Sequence, residues 1–175
     1  MDLRAVLACG TDGLGHAVLA QYYRNLFARY LPADGYDGSF RVRAALNFGV
    51  QQLATRSRFS PDTERYLQVG GFDALDLPAA LIEAMPHTRV TCLQPVEGAA
   101  ESLMRLRRAL PADALPVDIR IAEADLAPAS FGFIALFPAA MGAIESWRRF
   151  LSPLGTLISI ELPEQGMAPL IRLHA

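Results

Sequence analysis

YLQVGGFDALDLPAALIEAMPHTRVTCLQP, Tyr66 to Pro95, is the stretch that decides the fold. The short apolar run Tyr66 to Val69 meets Gly70 and Gly71, after which Leu75, Leu77, Leu81 and Ile82 recur at roughly helical spacing. That order reads as strand, tight turn, helix. A β-branched run, Arg89 to Leu93, follows the break at Pro86 and His87, which makes one βαβ unit of about 30 residues. Glycines at a strand-to-helix turn let a ligand approach the backbone, and the first helical amides offer unpaired donors. A nucleotide-like ligand is expected there.

Downstream, Val96 to Leu110 carries Ala99, Ala100, Leu103, Met104, Leu106 and Leu110, with Arg105, Arg107 and Arg108 turned outward, and reads as a helix packed on a sheet. Pro111 and Pro116 interrupt the chain, and Val117-Asp118-Ile119-Arg120-Ile121 then alternates as a strand near a sheet edge does. The continuous apolar run Phe131 to Phe137 predicts a central buried strand. Ile144 to Leu151 is expected to be helical, Leu151 to Gly155 a turn, Thr156 to Leu162 a strand, and Leu170 to Leu173 a last short strand. Strands alternating with helices define an α/β, doubly wound, mainly parallel sheet.

Upstream of the unit, Phe40 to Phe59 suits a helix, and Ser60-Pro61-Asp62 a stop and fresh start. Gly10, Gly13 and Gly15 form a second glycine pattern, a weaker alternative as the ligand loop. Behind it, His16 to Leu31 is an amphipathic helix bearing Tyr22, Tyr23, Phe27 and Tyr30. Residues 1–60 thus form a helical segment, a lid or dimerisation element, and residues 61–175 the α/β domain.

The 175 residues are 52% hydrophobic with a mean hydropathy of +0.23, more apolar than a lone soluble chain usually hides, so a homodimer or another protein partner is expected. A net charge of −2 with scattered basic residues argues against nucleic acid. All 16 basic residues are Arg, which excludes lysine chemistry. Cys9 and Cys92 are too few for a disulfide framework or zinc site, and no metal set accompanies the isolated His16, His87 and His174. The N-terminus does not read as a signal peptide, and no apolar run approaches the ~18 residues of a membrane span. The expected location is the cytoplasm.

Val69-Gly70-Gly71 and Pro86-His87-Thr88-Arg89-Val90-Thr91 resemble the glycine turn and second-strand lead-in of class I S-adenosylmethionine-dependent methyltransferases, particularly the small-molecule O-methyltransferase type. The resemblance runs from Tyr66 to Leu162. It implies a Rossmann-like methyltransferase fold, here with N-terminal helices and a truncated C-terminal end. It also implies S-adenosylmethionine as cofactor and a small-molecule substrate. Cofactor-binding positions carried over are Gly70, Gly71, Asp73, Gln94 at the place of the acid that holds the ribose, and Asp125 at the place of the acid that contacts adenine. No catalytic residue is identified.

Departures from the family pattern are Phe72-Asp73-Ala74 for a Thr-Gly pair, Gln94 for the ribose acid, Gly132 for Asp and Leu154 for the first Gly of the later turn. They motivate a second reading, a degenerate relative that has lost the cofactor and serves as a binding or assembly partner. A third reading is an aminopropyltransferase of the spermidine synthase type, resembled by Gly70-Gly71-Phe72-Asp73 but lacking paired acids around Phe133 to Phe137. Bland readings compete at each site. The two glycines suit any tight βα turn, Asp73 would cap a helix, and Asp125 would sit in a solvated turn.

Overall fold

The computed structural model describes residues 47, 49–50, 53, 65–71, 75–85, 87–109, 117–138, 144–161 and 170–174. Its strands are β1 (Arg65–Val69), β2 (Arg89–Leu93), β3 (Val117–Arg120), β4 (Phe131–Leu136), β5 (Leu151–Glu161) and β6 (Leu170–His174). They form one six-stranded sheet in the order β3-β2-β1-β4-β5-β6. The first five run parallel and β6 lies antiparallel against β5. This is the doubly wound, mainly parallel α/β architecture expected from the alternation of strands and helices. Its strand order reverses between β1 and β4, the place where open α/β sheets leave a crevice at the carboxyl ends of their strands.

Because side chains alternate across a strand, β1 sends Tyr66 and Gln68 to one face and Leu67 and Val69 to the other. Tyr66, Val90, Cys92, Phe133, Ala135 and Ile158 pack on the first face with residues of α1 (Asp76–Ala84) and α2 (Glu97–Ala109). Val50, helical like Asn47, Gly49 and Leu53, joins the same core. On the second face, Leu67, Val69, Ile134, Leu136 and Leu157 meet Trp147 and Phe150, from α3 (Ile144–Trp147) and the 3-10 turn that extends it. Two apolar faces explain why β1 and β4 read as continuous apolar runs rather than alternating ones. The amphipathic α1 places Leu77 and Leu81 in the core, as its spacing required.

The sequence expected a turn at Leu151 to Gly155. The strand instead starts at Leu151, with the β4–β5 register slipping between Phe131 and Phe133. Irregular pairing takes up the extra residues, and Leu154 is 81% exposed. A Cβ at Gly155 would lie 2.8 Å from Leu151 Cγ and 3.0 Å from the Phe131 carbonyl oxygen, so close backbone approach requires glycine there. The Gly10 to Gly15 loop, the His16 to Leu31 helix and Asp73 lie outside the described residues.

Candidate functional site

At the carboxyl end of β1 the backbone is clamped from both sides. Gly70 N–H donates to the Leu93 carbonyl at 2.8 Å, and Phe137 N–H donates to the Val69 carbonyl at 3.0 Å. The turn that leaves β1 is thereby fixed between β2 and β4. Gly70 and Gly71 have φ of 74° and 107°, in the region that favours glycine. A Cβ on Gly71 would fall 2.6 Å from Gln68 Nε2 and 3.3 Å from Phe137 Cε2. The space beside Gly71 is therefore filled by the protein's own side chains.

Polar side chains gather in the helix-covered core beneath and beside this turn. Gln68 is 2% exposed and its Nε2 donates to the Gly70 carbonyl at 3.0 Å. Gln94, which follows β2 directly, is also 2% exposed, and its backbone N–H donates to the Arg120 carbonyl at 3.0 Å. Asp76 opens α1 with its side chain fully buried, and accepts from Asn47 Nδ2 at 2.9 Å. Three buried polar atoms of this group, Asn47 Oδ1, Gln68 Oε1 and Gln94 Nε2, have no hydrogen-bond partner among the described residues. Burying such atoms unpaired costs roughly 1–3 kcal/mol each, and polar groups left in this state mark places where a ligand or water completes the network.

Of the carried-over positions, Gly70, Gly71 and Gln94 come together, joined through the Gly70–Leu93 bond. Asp125 sits exposed on the 3-10 turn Glu123–Asp125, on the connection between β3 and β4. It lines a groove whose lining includes neither glycine nor Gln94. His87 is exposed just ahead of β2, and His174 Nε2 lies 2.7 Å from Ser159 Oγ between β5 and β6, so neither stands at the crevice. Sequence reasoning missed Gln68, Asp76 and Asn47. The available signal was polarity out of place: Gln68 interrupts an apolar strand, and Asp76 falls between two leucines of a core-facing helix.

Two groups deep in the core are held neutral. Burial, with the Asp118 and Asp76 charges adding to it, pushes the Cys92 thiol up to about 12. Burial also raises the Tyr66 phenol, stacked on Phe133 with ring centroids 5.5 Å apart.

No protein-family model matches the chain, and no curated protein matches it. Solved structures do. A geranyl diphosphate methyltransferase in complex with GPP and sinefungin superposes with a TM-score of 0.54 at 13% identity, over 83% of this chain and 66% of that one. The same enzyme in complex with SAM gives 0.50 at 16% identity, over 73% and 56%. A tRNA methyltransferase from Aquifex aeolicus gives 0.51 at 16% identity, over 69% and 47%. A probable spermidine synthase from Corynebacterium glutamicum gives 0.51 at 20% identity, over 66% and 46%. The chain thus spans about half to two thirds of these structures' own length. It has the Rossmann-like fold of the class I S-adenosylmethionine-dependent methyltransferases, as the glycine turn and strand lead-in implied.

Proposed function

We propose that the crevice at the carboxyl ends of β1 and β2 binds S-adenosylmethionine, and that the protein is a methyltransferase acting on a small molecule. The observation that carries this reading is the buried Gln94 Nε2, without a hydrogen-bond partner among the described residues, beside the left-handed Gly70-Gly71 turn that leaves β1 where strand order reverses. Gln94 donates to a ribose hydroxyl through Nε2, a weaker grip than a carboxylate gives but a satisfied one. When bound, S-adenosylmethionine supplies a methyl group activated by its sulfonium. The chain's own residues orient and enclose it: the clamped glycine turn fixes the approach, and the Phe137 ring packs the floor against water. Catalysis here rests on positioning of the acceptor.

The run Phe133 to Phe137 is apolar and buried throughout, so it offers no paired acids for aminopropyl transfer. Calorimetric titration with S-adenosylmethionine and S-adenosylhomocysteine tests the proposal. Micromolar affinity, about −8 kcal/mol, with a several-fold change on Gln94→Glu, is the expected result. Silence at millimolar ligand would overturn it in favour of a relative that has lost the cofactor.

A further inference from the structure

A second, differently charged groove lies along β1, β2 and β3. Arg65 and Arg89 are register partners on β1 and β2, so they project from the same face on strands about 4.8 Å apart. Both are exposed, and neither forms an ion pair with a described residue. They open into a groove of about 510 Å³ that runs past β3 to the β3–β4 connection and is lined also by Arg107, Asp118, Arg120 and Asp125. Asp118 is already engaged, accepting from Arg120 Nε at 2.8 Å. Arg65 and Arg89 therefore face one groove without an ion pair to a described acid, while Asp125 offers an acceptor elsewhere in it.

We propose that this groove binds a sugar phosphate. Paired guanidinium forks match phosphate oxygens in geometry and charge. The carboxylate of Asp125 repels the phosphate but accepts hydrogen bonds from sugar hydroxyls, which fixes the ligand's direction in the groove. The volume falls within the range of small-molecule sites. Arg65 and Arg89 begin their strands, whereas the glycine turn and Gln94 follow the strand ends, so this site is separate from the crevice assigned to S-adenosylmethionine.

Ribose 5-phosphate and inorganic phosphate are the probes, titrated by calorimetry and by thermal shift on the full chain. The wild type should bind ribose 5-phosphate and gain thermal stability from it. Arg65→Gln with Arg89→Gln should weaken binding at least about tenfold, and Asp125→Asn should weaken ribose 5-phosphate but not inorganic phosphate. The S-adenosylmethionine titration should be unchanged in the arginine variants. If the double variant fails to fold, Arg89→Lys, which keeps the charge but loses the fork, should still bind several-fold more weakly. The proposal is overturned by silence toward ribose 5-phosphate at tens of millimolar, by undiminished binding in the arginine variants, or by a response to single-stranded RNA alone.

Discussion

Asn47 Nδ2 donates to Asp76 Oδ2 at 2.9 Å across 29 residues of sequence, and both side chains are fully buried. This bond ties Asn47, ahead of β1 in the chain, to the first turn of α1. Asn47→Ala would leave a buried carboxylate short of a donor. A loss of about 2–3 kcal/mol in urea unfolding is expected, and Asp76→Asn should cost less because it keeps hydrogen-bonding capacity while shedding the charge.

Gly71→Val should lower stability by at least about 2 kcal/mol, because the residue adopts φ of 107° and a Cβ would strike the Gln68 amide and the Phe137 ring. Thermal unfolding of apo-protein is the check. A variant with wild-type stability that fails only to bind ligand would show that Gln68 and Phe137 yield freely.

Tyr66 offers the opposite case. Its hydroxyl is buried without a partner among the described residues, so Tyr66→Phe removes that polar group while keeping the stacking on Phe133. Stability should rise by about 1 kcal/mol. Chemical denaturation of the two proteins side by side would reveal the change.

Alkaline pH should destabilise the fold through Cys92. Its thiol is raised from 9.0 to about 12 in the folded chain. An unfolded thiol therefore begins to ionise near pH 9 while the folded one keeps its proton, and the unfolded state binds fewer protons. Stability is full below the unfolded value and falls with rising pH up to the folded value. Cys92→Ala lowers overall stability but should flatten this alkaline slope. Denaturation midpoints measured from about pH 8 upward would show it, and an unchanged slope would assign the effect to Tyr66.

Legibility in the sequence followed how local the determinants were. Gly70-Gly71, the leucine spacing of α1 and the apolar run of β4 are short-range signals, and each predicted its element. The two-sided burial of β1 appears as a run rather than an alternation, while the parallel sheet was legible from the alternation of strands and helices. The irregular β4–β5 pairing was not legible, because Leu151 to Gly155 has turn composition and only the neighbouring strand holds it extended. The tie between Asn47 and Asp76 was equally hidden, since nothing local links residues so far apart. At Gly71 the position was read correctly and its reason was not, for the neighbours that demand glycine come from Gln68 and from the far end of β4.

The reversal of strand order also has a consequence in time. Residues 65–120 can lay down β1, β2 and β3, leaving β1 as an edge with one row of backbone groups unpaired. β4, the partner for that row, is made later, and its pairing with β1 closes a long loop. During synthesis the ligand crevice is therefore among the later parts of the sheet to appear, because one of its walls arrives with Phe137. Until then the chain exposes the unpaired edge of β1, the interval in which a chaperone would have most to hold.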